Sequence, residues 1–278
     1  MYYFHLKISD FSLTFDQKLD EGGNASAVSI ISVKKKPVFQ ADLDNPADLT
    51  GGESELRIHF QVTGIPSGAE KINIAPANGN SIFDEDGNGM STDEQTGKVP
   101  LRDKLPPTIS SVALGSLPSS GSPGVYTIIV TSSEALKLQP WEPEDIALSI
   151  EGGTADLTSA TPTDISAQSE LVWEVSFHIT GILDGNEILT VAPVENAVYD
   201  DNMNLMVVEQ ENNTVKLWDK TPPTMSATLN ADNSKMTIVF NEPVYANANG
   251  TGALTGEEFD WEWYGKMDGA KRYFVKNE

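Results

Sequence analysis

Apolar residues fall at every second position in several short stretches of this chain. Leu171, Trp173, Val175, Phe177 and Ile179 alternate with Val172, Glu174, Ser176, His178 and Thr180. Leu56, Ile58, Phe60 and Val62 alternate with Arg57, His59, Gln61 and Thr63. Period two predicts a strand with one face buried. Shorter alternations run through Phe11, Leu13 and Phe15, through Ile128 and Val130, and through Met236, Ile238 and Phe240. These three are expected to be the second strand of successive units. Phe259, Trp261 and Trp263 share parity and are expected on a core face, at the place of Ile146, Leu148 and Ile150. With Tyr264 they also form the most aromatic stretch, and aromatics on a sheet face can stack on sugar rings. Clusters of Gly, Asn, Asp, Ser and Pro separate the strands. No stretch has helical periodicity.

The strands belong to an internal repeat. Ser54-Glu55-Leu56 matches Ser169-Glu170-Leu171, and Ile74-Ala75-Pro76 matches Val191-Ala192-Pro193. Phe83-Asp84-Glu85-Asp86-Gly87-Asn88 matches Tyr199-Asp200-Asp201-Asn202-Met203-Asn204, and Leu101-Arg102-Asp103-Lys104 matches Leu217-Trp218-Asp219-Lys220. The blocks keep their order at offsets of 115 to 117 residues. Two prolines follow each Asp-Lys pair, at Pro106-Pro107 and Pro222-Pro223. Neither proline of a pair offers an N–H to a ladder, and each holds its predecessor extended. Each pair therefore reads as a stiff joint with an aspartate just before it. The expected units are residues 1–104, 105–220 and 221–278, the last of them truncated, and the chain reads as a segment of a longer array. Many short strands in each unit predict an all-β fold of seven-strand sandwiches.

The order of Pro-Pro-Thr, a strand ending in Asn241-Glu242-Pro243-Val244, a Gly-Ile strand end and an Asp-rich loop resembles bacterial immunoglobulin-like domains of surface-layer proteins. Ser133-Glu134-Ala135-Leu136 stands at the Asn-Glu-Pro-Val position of the middle unit. The first unit departs, with Gln17 where the glutamate is expected, and the middle unit departs with Ser132 where Phe15 and Phe240 stand. The resemblance implies tandem immunoglobulin-like β-sandwiches that act as spacers, stalks or adhesive modules outside the cell. The expected partners are other repeats of the same parent protein and a surface glycan or protein ligand. An accessory carbohydrate-binding or spacer module of a secreted polysaccharide-degrading enzyme is the alternative.

Charge narrows the partners. The chain carries 41 acidic and 18 basic residues, a net charge of −23. Binding nucleic acid or an anionic membrane needs a basic face, so both are excluded as partners. An acidic surface gathers cations. Salt-tolerant origin and divalent-ion binding both account for the excess. There is no cysteine, so disulfides and thiolate metal sites are excluded. No run of 18 apolar residues is present, and no membrane insertion is expected. The opening residues lack the pattern of a signal peptide.

The candidate chemistry is calcium. Asp84, Asp86 and Asn88 place oxygens at alternate positions before Gly89, as the first half of a calcium loop does. Gln95 stands where that loop needs a bidentate glutamate. Asp200, Asn202 and Asn204 repeat the spacing. An Asx-rich turn needs no ion and explains the same residues. Glu134 and Glu242 end the second strand, and Asp103 and Asp219 precede the joints. In an immunoglobulin-type sandwich these elements meet at one pole. Asp103, Glu134, Asp200, Asn202 and Asn204 are therefore expected to converge at the first joint. Asp219 with Glu242, and Asp84 with Asp86 and Asn88, are expected to form weaker, incomplete sites. The resemblance to cadherin-like arrays implies that such ions stiffen a rod. No nucleophile–base set, metal–base set or phosphate loop can be assembled, so no enzymatic activity is expected.

Overall fold

The computed structural model describes residues 6–16, 25–37, 46–117, 124–136 and 141–260. The protein is all-β. Among the described residues, helical structure is confined to single 3-10 turns, and no helix is long and apolar enough to cross a membrane.

The first repeat contributes β1 (Phe11–Asp16), β2 (Ala27–Lys35), β3 (Leu56–Thr63), β4 (Lys71–Pro76) and β5 (Val99–Pro100). One antiparallel sheet has the order β1-β4-β5, and β2 pairs with β3. The second repeat contributes β6 (Ile109–Leu114), β7 (Val125–Ser132), β8 (Ile146–Glu151), β9 (Asp156–Leu157), β10 (Asp164–Ala167), β11 (Val172–Thr180), β12 (Ile188–Pro193) and β13 (Thr214–Lys216). Its sheets are β10-β11-β7-β6, with β9 also on β11, and β13-β12-β8. The third repeat contributes the hairpin of β14 (Met225–Leu229) and β15 (Met236–Phe240).

The second repeat closes a core. Ile128 and Val130 from β7, Val175 and Phe177 from β11, Leu148 from β8, and Leu189 and Val191 from β12 belong to one buried cluster. The alternation read along Trp173, Val175, Phe177 and Ile179 is the buried face of β11. Each such side chain contributes about 1.5–3 kcal/mol of transfer free energy. Trp141 stacks on Trp173 at the end of this core, with ring centroids 5.5 Å apart.

The register corrects one expectation. Phe11 pairs with Pro76 as Ile146 pairs with Pro193. β1 therefore holds the place of β8, not that of β7. The segment before each strand agrees. Asp10 accepts the Lys7 N–H at 2.7 Å, and Asp145 accepts the Glu142 N–H at 2.9 Å. Glu258 accepts the Thr255 N–H at 2.7 Å just before Phe259. The same capped 3-10 turn thus occurs three times. Period-two alternation marks a half-buried strand without saying which one, and Phe11, Leu13 and Phe15 fit either place. The turn puts Phe259 at the place of Ile146, as parity suggested. Trp261, Trp263, Tyr264 and Gln17 lie outside the described residues. No described residue of the first repeat supplies a counterpart of β6 or β7. In the third repeat β14 and β15 are those counterparts.

Candidate metal centre at the first joint

Three segments far apart in sequence meet at Pro106-Pro107. The first is the joint. Asp103 Oδ1 accepts the Leu105 N–H at 2.8 Å, an Asx turn that fixes the carboxylate before the prolines. Lys104 N–H donates to the Pro66 carbonyl at 2.9 Å and ties the joint to the β3–β4 loop. Gly68 in that loop has φ +84°, and a Cβ there would lie 3.2 Å from the Asp103 Cβ. Glycine serves both the backbone conformation and the close approach.

The second segment is the exit of β7. Ser133 and Thr108 exchange bonds, with Ser133 N–H donating to the Thr108 carbonyl and Thr108 N–H to Ser133 Oγ. The buried Ser132 Oγ donates to the Glu134 carbonyl at 2.7 Å, which holds the turn carrying Glu134. The third segment is the loop after β12. Asp200 forms an isolated bridge with Leu136, and Tyr199 forms one with Leu205.

Asp103, Glu134 and Asp200 each offer an oxygen, and these oxygens lie within 4.8 Å of one another. Oxygens around a calcium ion at about 2.4 Å are at most about 4.8 Å apart, so the spacing suits one shared ion. Asp200 is 1% exposed, and Asp103 and Glu134 are half-buried. Burial, the negative charges of Asp103 and Asp200, and a hydrogen bond with Asp103 push the Glu134 carboxyl up to about 7. Three carboxylates held this close cannot all ionise cheaply unless a cation joins them.

The loop residues divide. Asp200 Oδ1 accepts the N–H groups of Asn202 and Asn204, and Oδ2 accepts Asn204 Nδ2 at 2.7 Å. Asn204 therefore braces the loop from behind, and the alternate-position spacing does not by itself aim three oxygens at one point. Asn202 stands at the rim, its Nδ2 donating to Asp103 Oδ2 at 3.4 Å. An amide turn would bring its oxygen to the same place. Asp84 and Asn88 repeat the brace, with Asn88 N–H on Oδ1 and Nδ2 on Oδ2, both at 2.8 Å. Those bonds to Asn88 hold the Asp84 carboxyl below the usual range. Asp86 and Asn88 are exposed, and among the described residues no other acidic cluster of three forms around this loop. Asp219 repeats the Asp103 turn, accepting the Thr221 N–H at 2.9 Å, beside Gly185. Asp219 is exposed and Glu242 half-exposed, and no third acidic group joins them among the described residues.

Two glutamates that the sequence reading passed over hold the loops beneath the joints. Glu187 is fully buried and takes the N–H groups of Thr154 and Ala155 on Oε1, and that of Gly185 on Oε2, with Asp184 N–H between the two oxygens. Burial pushes this carboxyl up, but the N–H groups outweigh it and hold it below the usual range. Glu70 is the counterpart in the first repeat, equally buried, with Oε2 accepting the Ser67 N–H at 2.9 Å. The signal was present in sequence. Gly68-Ala69-Glu70 matches Gly185-Asn186-Glu187, and Glu21-Gly22-Gly23-Asn24-Ala25 matches Glu151-Gly152-Gly153-Thr154-Ala155.

No protein-family model, no curated protein and no solved structure matches the chain.

Proposed function

We propose that the chain is a spacer segment of tandem immunoglobulin-like β-sandwiches, working outside the cell, in which a calcium ion locks the first joint. The observation that carries this reading is the meeting of Asp103, Glu134 and Asp200 from three distant segments at a proline joint. The donor set is made of hard oxygens, which suits calcium rather than a softer metal. Partial exposure and only three carboxylates fit the weak class of extracellular calcium modules, with Kd of about 10⁻⁴–10⁻³ M. In this reading Asp103, Glu134 and Asp200 hold the ion, and Asn202 adds a neutral oxygen at the rim. An ion bridging Asp103 on the joint to Glu134 and Asp200 on the second repeat removes a hinge. The absence of any nucleophile–base set in the sequence supports a structural rather than an enzymatic role.

Calorimetry and small-angle scattering, each with calcium and with chelator, test the reading. Calcium is expected to raise the melting temperature and to narrow the range of end-to-end distances. The double variant Asp103→Asn, Glu134→Gln is expected to lose both effects. Calcium binding that survives in this variant would overturn the assignment.

A further inference from the structure

The chain contains three Asn-Gly steps, at Asn78-Gly79, Asn88-Gly89 and Asn249-Gly250, and all three asparagines are exposed. Such a step can close on itself. The glycine nitrogen attacks the asparagine amide carbon, and glycine has no side chain to hinder the approach. The glycine N–H must be free to lose its proton. The asparagine C=O must take up the charge left on the peptide, and Oδ1 must take up charge as the nitrogen adds. Hydrogen-bond donors placed where charge develops favour such a step.

The turn at residues 78–81, just after β4, meets all of these needs. Ser81 N–H donates to the Asn78 carbonyl at 3.2 Å and draws charge from the peptide that holds the Gly79 nitrogen. Asn80 N–H donates to Asn78 Oδ1 at 2.9 Å. Within the amide only the oxygen can accept that bond, and the Asx turn it closes folds the amide over the Gly79 peptide. Asn78 N–H is itself held by Ser81 Oγ at 3.1 Å. Among the described residues the Gly79 N–H donates to nothing. The other two steps each lack a part. Asn88 gives its N–H to Asp84 Oδ1 and its Nδ2 to Oδ2, so its amide is turned back onto a carboxylate. That negative charge opposes an incoming amide anion. Asn249 Oδ1 accepts Thr251 Oγ1 at 2.6 Å, but the Gly250 N–H is given to the Asn247 carbonyl at 3.1 Å.

We propose that Asn78 is a site of spontaneous deamidation, with water as the sole co-reactant. The Gly79 nitrogen loses its proton to hydroxide and forms a bond to the Asn78 amide carbon. The bond from that carbon to Nδ2 breaks, and the nitrogen takes a proton from water and leaves as ammonia. The product is a five-membered succinimide. Water then adds to one of its two carbonyls and a ring C–N bond breaks. Opening on one side gives aspartate. Opening on the other gives isoaspartate, in which the main chain runs through the former side-chain carbon. Each event adds one negative charge to the turn. The turn abuts the Asp84 loop, because a Cβ on Gly89 would lie 2.3 Å from the Gly79 carbonyl oxygen. The loop after β12, at the same place in the second repeat, has no Asn-Gly step. The proposal is independent of the calcium function.

The test incubates the full chain in water labelled with heavy oxygen at mildly alkaline pH, then digests it and weighs the peptides. The Asn78 peptide is expected to take up heavy oxygen and to separate into aspartate and isoaspartate forms, at a rate that rises in proportion to hydroxide. Asn88 and Asn249 are expected to lag by about tenfold or more, a small part of what such donors give in a water-excluded site. In guanidinium chloride the turn is lost, so Asn78 is expected to slow and the three rates to converge. Gly79 is not left-handed and a Cβ there meets nothing within 4 Å, so Gly79→Ala is expected to keep the circular dichroism and to slow Asn78 alone. Asn88 or Asn249 reacting as fast as Asn78 in the folded chain overturns the proposal. So does a ranking that survives unchanged in guanidinium chloride, which would assign it to the local sequence. Chain cleavage after Asn78 in place of deamidation also overturns it, because Nδ2 would then be attacking the residue's own carbonyl.

Discussion

Counted back from Thr63-Gly64-Ile65 and Thr180-Gly181-Ile182, which close the two strands, Val175 and Ile58 occupy the same place, yet Val175 is fully buried and Ile58 lines an open cavity. The second repeat has strands on both edges of β11, one of them from the β6–β7 hairpin that widens its sheet. Among the described residues, β3 of the first repeat has a strand on one edge alone, β2. Nothing in the two strand sequences announces the difference. Alternation gives a strand an apolar face, but only a partner makes that face a core.

The largest expected effect comes from truncating equivalent positions of the two hairpins. Ile128→Ala is expected to cost about 2–4 kcal/mol, because it leaves a cavity in a closed core. Met236→Ala, at the same place in the third repeat, is expected to stay within about 0.5 kcal/mol of the parent at concentrations where the chain is monomeric. Urea unfolding of both variants measures this. Equal losses would mean that the third repeat is as well packed as the second.

The buried glutamates give the next contrast. Glu187→Ala strands the N–H groups of Thr154, Ala155, Asp184 and Gly185, and is expected to cost about 3 kcal/mol or more. Glu70→Ala strands the Ser67 N–H and is expected to cost about 1 kcal/mol. The Glu187 carboxyl is held low, so its contribution is present above the unfolded value and is lost as pH falls through the folded one. Acid unfolding of the second repeat should therefore begin at higher pH in Glu187→Gln.

The two joints differ in charge balance. Burial and the charges of Asp103 and Asp200 push the Glu134 carboxyl up to about 7, above its ordinary value of about 4.5. Without a cation the folded chain thus holds a proton between these values that the unfolded chain does not. Stability from this group is present at acid pH and declines as pH rises through 7. In chelator, raising the pH from about 5 to about 8 should lower the melting temperature by about 4 °C more in the parent than in Glu134→Gln, after allowance for solvent screening. In excess calcium the parent should lose this slope, because the ion keeps Glu134 ionised and its binding releases a proton near pH 7. An identical slope in all three samples would remove the electrostatic argument for the site.

The smallest effect distinguishes the joints themselves. Asp219→Asn should leave calcium affinity in dilute monomer within about twofold of the parent, a change of roughly 0.4 kcal/mol. Asp103→Asn should weaken it tenfold or more, because one of three clustered carboxylates becomes neutral. Isothermal titration at fixed ionic strength compares them.

The amino-acid sequence determined the strands and the turns between them. Period-two alternation and turn residues are local properties, and backbone sterics convert them directly into extended segments and bends. It also placed Asp103, Glu134 and Asp200 at one pole, because repeated order and strand direction together fix which ends meet. Other points depended on long-range pairing. The ladder of β1 with β4 identified Phe11 as the counterpart of Ile146, which alternation alone leaves open. Hydrogen bonds from Asn204 and Asn88 turned two apparent ligands into braces, since an amide can serve an ion or a neighbouring carboxylate with the same spacing. Glu187 and Glu70 drew no notice in the sequence, and only the folded loops, with four N–H groups in one case and the Ser67 N–H in the other, show them enclosed. Burial depends on what the rest of the chain puts across from a residue, and that was decided only in three dimensions.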